Sequence, residues 1–572
     1  MAETIVSPGV LAIENDQSQV TQLPIQAGAA IVGPTVKGKV GIPTICTTYS
    51  DYSNIYGTTF ESGSQTYSYF TSISVYNYFQ NGGTSMLVTR VVSGSFTPAT
   101  SSIIQNANTS ASLVLETLTE GEIMNSDGTL NSNGTLVNGT SDNVRWQVTT
   151  RNTVEGTFEI VIRSGNDTTL SPSRLETWSN LSLDPYSPNY VERVIGNQTE
   201  VIGSDGGEYF VTSQGDYPNN SRYVRVKQVN YATPKYFDNN GSPKSEFTGS
   251  IPITSSGAFG SAAGSNIPTG IPGKYYENIA NDNIQGLQAT DYANSISLLG
   301  NKEAYRYNLL TIPGLMSDFG LHATTITNTI NTVQTRGDSM AVIDLVRYGS
   351  NVTSVTTQAA TYDTSYAATY WPWVKTIDPN TARQVWVPAS TLIPGIYAFN
   401  DRVAEPWFAP AGQNRGIMST AIRAERYLTQ GNRDTLYQNK VNGIVTFPNT
   451  GVTVFGQKTL QNRKTALDRI NVRRLLIELK GFISQVADTL VFEQNTVTTR
   501  NNFLSQVNPY LSSVQNQQGL ISFNVVMDES NNTPTTIDNN QLIGYIYLQP
   551  VKSAEFIVLD FNILPTGATF PS

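Results

Sequence analysis

The chain has 572 residues, of which 14% are charged and 39% apolar, and its formal net charge is −9. Globular proteins usually carry about 25% charged residues, so this Asn-, Ser-, Thr-, Gly- and Tyr-rich composition suits β-structure and large protein contacts. An acidic chain has no basic face large enough to neutralise many phosphates, which argues against nucleic-acid binding. The chain has one cysteine, Cys46, which excludes an intrachain disulfide. With only one histidine, His322, it also cannot form a Cys/His zinc cluster.

Residues 1–22 read as an extended N-terminal arm. A turn signal at Ser7-Pro8-Gly9 interrupts it, and the arm is too short to own a core. Its apolar residues need a sheet edge to join, in this subunit or in another. These residues are Ile5, Val6, Val10, Leu11 and Ile13. Met1–Asp16 lacks the basic start and apolar core of a signal peptide, and no apolar run approaches the roughly 20 residues of a membrane span, so we expect neither.

Two separated stretches, 23–93 and 300–450, have the alternating strand and helix pattern of one α/β mid domain. In the first stretch, Asn81-Gly82-Gly83 ends a predicted aromatic helix. The predicted strands are Ala29–Gly33, Ile42–Thr47, Met86–Val92, Tyr307–Pro313, Met340–Leu345 and Gln384–Pro388. The predicted helices are Ser50–Tyr56, Tyr67–Gln80, Ser317–Thr332 and Thr391–Asn400.

The region between them, 94–299, is predicted to be an inserted outer domain. Short alternating strands separated by Asn/Gly/Asp/Ser turns indicate a small β-sandwich up to about residue 234. These strands are Ser112–Glu116, Arg145–Thr149, Thr157–Arg163, Tyr209–Thr212 and Tyr223–Gln228. Residues 235–290 are rich in Gly, Ser, Pro and Asn and are predicted to form a long loop.

Residues 451–572 are predicted to form an α+β C-terminal domain. Six apolar residues recur at helical spacing on one side of a predicted helix, which we assign to a core. They are Leu475, Leu476, Leu479, Phe482, Ile483 and Val486. A second amphipathic helix, Arg500–Gln515, precedes strand candidates at Ile521–Met527, Leu542–Leu548 and Glu555–Ile563. A basic segment leads into the first helix and includes Arg463, Lys464, Arg473 and Arg474; it is either a solvated lead-in or a contact surface.

No constellation of residues supports an enzyme. Gly83-Thr84-Ser85-Met86 and Gly337-Asp338-Ser339-Met340-Ala341 resemble the segment around the serine of subtilisin-type proteases. The only possible base is His322, which lies within a predicted helix, whereas a serine nucleophile needs an oriented base within hydrogen-bond reach. There is no phosphate-binding loop motif, and we predict no cofactor and no metal site.

Three groups of fragments, in order along the chain, resemble the contractile tail sheath family of bacteriophages and related injection machines. The first comprises Ser7-Pro8-Gly9-Val10, residues 32–38 (VGPTVKG), Phe79–Gly83 and Arg90-Val91. The second lies within 402–442 and includes Ala409-Pro410-Ala411-Gly412, Leu436-Tyr437 and Val441-Asn442. The third comprises Phe455–Leu460, Asn471–Arg474, Phe492–Asn495 and Pro550–Ile557. Residues 94–300 lie outside the resemblance.

The resemblance implies a structural subunit that assembles as stacked hexameric rings around a tail tube and contracts to drive the tube through the host envelope for genome delivery. It implies a mid domain that is subtilisin-like but not catalytic, a variable outer domain, and an inner C-terminal domain facing the tube. Partners would be further copies of the chain, the tail tube, baseplate and tail terminator proteins, without nucleic acid or membrane insertion. The implied location is the virion tail, assembled in the host cytoplasm.

In that family, the two ends of each subunit add strands to neighbouring inner domains. The implied strand-exchange residues here are the five apolar arm residues with Phe556, Ile557, Val558 and Leu559, unless both ends pair within their own subunit. The implied tube-facing residues are Arg463, Lys464, Arg473 and Arg474. Open alternatives are a tailocin-type injection system, a surface adhesin acting through the β-rich outer block, and a serine hydrolase using Ser85 or Ser339 with His322.

Overall fold

The computed structural model describes residues 25–62, 65–266, 274–277, 279–448 and 450–555. It is a mixed α/β protein with three parts. We call these the body (25–93 and 279–460), the insert (94–266) and the C-terminal domain (463–555), because the buried apolar residues of each part cluster together. The insert interrupts the body, as the returning α/β pattern predicts.

The first segment of the body supplies the three strands at one end of its main sheet. Its strands are β1 Ile25–Ala27, β2 Ala29–Gly33, β3 Thr44–Cys46, β4 Thr59–Ser62, β5 Gln65–Ser68 and β6 Met86–Arg90, and its helices are α1 Tyr49–Tyr56 and α2 Phe70–Gln80. The predicted helix 67–80 is wrong at its start. Tyr67 pairs with Phe60 across the β4–β5 hairpin, and their rings stack with centroids 5.5 Å apart. This cross-strand aromatic contact overrides the helical pattern.

The insert is one antiparallel sheet rather than two sheets of a sandwich. Its eight strands follow the order β12-β11-β10-β16-β7-β9-β15, with β8 against β9, while β13 and β14 form a separate hairpin. The strands are β7 Pro98–Ser101, β8 Ile104–Gln105, β9 Ala111–Glu120, β10 Val144–Asn152, β11 Thr157–Ser164, β12 Arg174–Ser182, β13 Thr199–Asp205, β14 Glu208–Gln214, β15 Val224–Val229 and β16 Ser255–Gly260, and the helices are α3 Val191–Ile195 and α4 Ser245–Thr248.

Strand β16 corrects the predicted loop over 235–290. It pairs with both β10 and β7 and lies inside the sheet. A Cβ on Gly257 would lie 2.6 Å from the Trp146 ring and 2.1 Å from the Ser102 hydroxyl. The glycine therefore marks a close approach within the insert core, not a flexible turn. The insert also ends earlier than predicted, because Ile284, Leu287 and the residues up to 299 pack into the body.

The second segment of the body completes its sheet. Its strands are β17 Tyr305–Tyr307, β18 Leu309–Met316, β19 Met340–Asp344, β20 Ala367–Trp371, β21 Val374–Ile377, β22 Gln384–Val387, β23 Ala421–Ala424, β24 Asn442–Phe447 and β25 Gly451–Phe455. Its helices are α5 Ala293–Leu298, α6 Gly320–Arg336, α7 Val352–Ala359, α8 Ile393–Val403, α9 Gly412–Arg415 and α10 Gln430–Gln438.

The main sheet has the order β25-β24-β20-β19-β18-β2-β6-β3, with antiparallel strands only at its two ends. Every residue of β2 and of β19 is buried. In β19, Met340 and Val342 join one core cluster while Ala341 and Ile343 join the other. Helices therefore cover both faces, which explains the unbroken apolar runs of these strands.

The C-terminal domain is an α+β unit, as predicted. Its elements are α11 Ile470–Asp488, α12 Val497–Asn516, β26 Leu520–Val526, α13 Pro534–Asp538 and β27 Tyr545–Pro550. Leu475, Leu479 and Val486 are buried with α12 residues in a separate core, and Leu476, Phe482 and Ile483 pack partly buried against it. The predicted apolar face of α11 is confirmed.

Candidate assembly surfaces

Helix α11 joins the body to the C-terminal domain. Its residues Ile470 and Ile477 lie in a body core, whereas Leu475 and Leu479 lie in the C-terminal core. All six residues from 470 to 475 are buried. The first turns of the helix are therefore enclosed on every side, and the two domains share one rigid element.

This enclosure corrects the prediction that Arg473 and Arg474 are free to meet a partner. The Arg473 side chain donates a hydrogen bond to the Ser365 hydroxyl and lies 4.0 Å from the centre of the Tyr366 ring. Arg474 donates to the Asp401 carboxylate and lies 4.7 Å from the Tyr397 ring. Both guanidinium groups are used inside the subunit, because α11 is packed between two cores.

The other two predicted tube-facing residues, Arg463 and Lys464, are exposed. Neither forms an ion pair with any described residue. They lie in the segment between β25 and α11, at the boundary between the body and the C-terminal domain. Their contact with a tube remains a prediction.

Strands β26 and β27 form a two-stranded antiparallel sheet, to which no third described strand is added. One face, including Phe523, Val525, Ile546 and Leu548, packs against the C-terminal core. On the other face, Tyr545 and Tyr547 are 51% and 59% exposed. An isolated hairpin of this kind leaves unpaired backbone groups along both edges.

The chain leaving β27 returns to the body, where Glu555 accepts a cluster of hydrogen bonds. Arg469 Nε lies 2.6 Å from Glu555 Oε1, and Arg469 Nη2 lies 2.9 Å from Oε2. Gln457 Nε2 lies 3.0 Å from Oε1, and the Tyr437 hydroxyl donates to Oε2. Burial alone would raise the pKa of the Glu555 carboxyl, but these three donors lower it overall. The paired arginine and carboxylate form a bidentate, charge-assisted contact.

This cluster should loosen in acid. The folded-state pKa of Glu555 lies below its ordinary value of 4.5. Its stabilising contribution is therefore complete above that value and is lost as the pH falls through the folded-state pKa. A dye on Lys552→Cys should gain mobility in fluorescence anisotropy below about pH 4.5, with the other cysteine, Cys46, buried. In a background carrying Glu555→Gln this transition should disappear; an identical transition in both proteins would contradict the assignment.

The residues of the hydrolase alternative are not arranged for catalysis. His322 is buried, and its Nδ1 accepts a hydrogen bond from the Met316 backbone N–H at 3.1 Å. Burial lowers the pKa of His322 to about 4. Ser339 is completely buried, and the Ser85 hydroxyl accepts from Gly28 N. Neither serine contacts the imidazole within the described ranges.

The predicted strand-exchange residues at both ends, from Ile5 to Ile13 and from Phe556 to Leu559, lie outside the described residues. Sequence reasoning missed the Glu555 cluster. It named Tyr437, Gln457 and Glu555 only as parts of the family resemblance. Arg469 and Glu555 are 86 positions apart, so no local spacing brings them together.

Residues 282–460 match the family model described as the phage tail sheath protein central domain, and residues 463–563 match the phage tail sheath C-terminal domain. The two matches meet in the segment that joins β25 to α11. The chain belongs to the contractile tail sheath family. The descriptions of these matches are those of a structural tail sheath protein, not of an enzyme.

Two curated relatives are tail sheath proteins of phages. That of Vibrio phage KVP40 is 39% identical over 217 residues, covering 38% of this chain and 31% of the relative. That of Enterobacteria phage T4 is 34% identical over 230 residues, covering 40% of this chain and 35% of the relative. The chain thus matches about a third of the length of each of these sheath proteins.

One solved sheath structure shares the fold over most of the chain. A sheath tail protein from Listeria innocua aligns with a TM-score of 0.54 at 10% identity, covering 92% of this chain and 96% of the other. The helical sheath of the anti-feeding prophage in its contracted state aligns with a TM-score of 0.48 at 16% identity, covering 98% and 99%. Within the described ranges, no helix of this sheath-family chain is long and apolar enough to cross a membrane, and no cluster of His, Cys, Asp and Glu could hold a metal ion.

Proposed function

We propose that the chain is the structural subunit of a contractile tail sheath, which polymerises as stacked hexameric rings around a tail tube. It contracts to drive the tube through the host cell envelope for genome delivery. The observation that carries the proposal is the open β26–β27 hairpin within the part of the chain that matches the sheath C-terminal domain. A hairpin to which no third described strand is added is suited to accept strands from neighbouring copies.

The two ends of the chain are the proposed donors of those strands. Residues 5–13 and 556–559 are apolar and rich in β-branched residues, and main-chain hydrogen bonds to an open edge would supply their affinity. Alternate side chains would then fix the register, because a slip by one residue exchanges the buried and exposed faces. Each subunit would be tied to its neighbours by its own ends, forming a continuous mesh.

The proposed partners besides further copies are the tail tube, baseplate and tail terminator proteins. Exposed Arg463 and Lys464 are the proposed tube contacts, since they are cations without an ion-pair partner among the described residues, in a chain of net charge −9. The proposed location is the virion tail, after assembly in the host cytoplasm. Contraction would replace a kinetically trapped extended lattice with a better-packed one, and needs no nucleotide.

We also propose that the body is a subtilisin-like mid domain that has no catalytic role. Six consecutive parallel strands, from β24 to β6, support this relation. The buried, main-chain-bonded His322 supports the loss of catalysis. The sheet would then serve as a rigid frame for the insert and the C-terminal domain.

Electron microscopy of the purified full chain tests the function. Ordered rings or tubes are the expected result. A strictly monomeric protein with both ends intact would overturn the proposal.

A charge on the open face of the hairpin should block assembly without unfolding the subunit. We expect Tyr547→Lys to abolish polymers, because a lysine on an edge sheet disfavours pairing with another chain. Tyr547 is 59% exposed, so the melting temperature of the monomer should stay unchanged. Sedimentation measures the polymer, and Tyr427→Lys is the matched control, since Tyr427 is 78% exposed on the body. Equal polymerisation of the two variants would exclude the hairpin as the assembly site.

A further inference from the structure

The five residues 551–555 form a short strap that runs from the hairpin back to the body. Strand β27 ends at Pro550, and Glu555 already contacts the body. Between these points, Ser553 Oγ accepts a long hydrogen bond of 3.4 Å from Asn471 Nδ2. The Val551 backbone N–H donates to the Gly519 carbonyl at 3.2 Å. Cavities of about 610 and 760 Å³ border residues 552–555. The side chains of the strap are therefore held mainly at its last residue, Glu555.

The partners of Glu555 come from three different segments. Tyr437 lies on α10, Gln457 follows β25, and Arg469 is the N-cap residue of α11. These partners also hold one another, since Arg469 Nη2 donates to the Tyr437 hydroxyl at 2.8 Å. Asp468 pairs with the remaining Arg469 Nη1 at 2.8 Å, so the guanidinium is fixed in orientation. The carboxylate is thereby fastened to the rigid junction between the body and α11.

We propose that Glu555 anchors the C-terminal end of the chain to the junction between the body and α11, so that tension on the residues beyond it bypasses the β26–β27 hairpin. This inference rests on the proposed function, in which those residues bind a neighbouring subunit. Without the anchor, tension would act directly on β27, whose only described strand partner is β26. A two-stranded sheet pulled from one strand end opens pair by pair and is marginally stable by itself.

The anchor also explains how a small hairpin with one exposed face can serve as an assembly site. The hairpin can keep both edges open for incoming strands because it does not have to resist the pull of its own chain end. The body, with its eight-stranded sheet and two cores, receives that pull instead. Glu555 is in this sense a positioning residue for strand exchange, and it does not itself contact the neighbour.

Hydrogen–deuterium exchange on the full chain tests the anchor in the unassembled subunit. Glu555→Gln keeps the size of the side chain but removes the charge, and Glu529→Gln is the control, because Glu529 is exposed and has no ion pair with a described residue. We expect amides of 545–555 to exchange roughly tenfold faster in Glu555→Gln, as for the loss of charge-assisted hydrogen bonds. Amides of the body sheet should be unaffected. Equal exchange in the two variants would overturn the anchor.

Assembled material tests the route of the tension. Polymers of Glu555→Gln should lose subunits under shear faster than those of Glu529→Gln, compared at a temperature at which both monomers are folded. Arg469→Lys keeps the charge but loses the bidentate fork, and should give an intermediate rate. If polymers of all three variants disassemble equally fast, the tension does not pass through Glu555. If the unmodified chain forms no polymer, the proposed function fails, while the exchange experiment still decides whether the anchor exists.

Discussion

Replacing Arg474 by glutamate should lower the free energy of unfolding by about 3 kcal/mol, as for removing one partner of a buried ion pair. The Arg474 side chain is only 9% exposed, and the new carboxylate would face the Asp401 carboxylate that the arginine now neutralises. Glu478, whose pKa burial raises, lies close enough to Arg474 and Asp401 to feel their charges. Asp401 is 36% exposed, so solvent screens its charge. The expected loss of unfolding free energy therefore lies at the lower end of the range for broken buried ion pairs.

Urea denaturation measures this loss, with Arg463→Glu as the charge-matched control. Arg463 is exposed and unpaired among the described residues, so its reversal should leave the midpoint unchanged. The same two variants separate folding from tube attachment: Arg463→Glu should weaken binding to the tube, and Arg474→Glu should fail earlier, at folding. A stable Arg474→Glu subunit that no longer binds the tube would restore the original tube-facing prediction for Arg474.

Truncating Leu479 to alanine should destabilise the C-terminal domain by about 2–5 kcal/mol, the usual cost of a buried leucine cavity. Leu479 is 1% exposed and lies in a core with few members, all contributed by α11, α12, the hairpin and Trp407. The body has its own clusters on both faces of its sheet. We therefore expect calorimetry to show a separate transition at lower temperature, followed by melting of the body.

The assembly surface should be lost together with this small core. The hairpin packs on it through Phe523, Val525, Ile546 and Leu548, so its open edges have no support once the core melts. Polymerisation should fail between the two transitions, as measured by light scattering. Leu170→Ala is the control, because Leu170 is 96% exposed and its truncation leaves no cavity. A single cooperative transition in Leu479→Ala would show that the C-terminal domain does not unfold separately.

Much of the α/β architecture could be predicted from the sequence because its strands are buried on both faces. Ala29–Val32 and Met340–Ile343 are apolar at consecutive positions, a pattern that is typical of strands buried on both faces. Strand β16 could not be predicted in this way. Its Gly257 allows a close approach to Trp146, and this approach exists only when β10 lies beside β16.

The sequence by itself determined that the six apolar positions from Leu475 to Val486 face a core and that fragments of the chain resemble tail sheath proteins. Both depend on spacing and order along the chain. Only the tertiary structure decided which charged side chains around that helix are buried and which partners they have. Arg473 and Arg474 are enclosed because a second core packs on the other side of α11, and Arg469 finds its partner in Glu555, 86 positions away. Burial and long-range pairing depend on which surfaces meet, and a helical period describes only one of those surfaces.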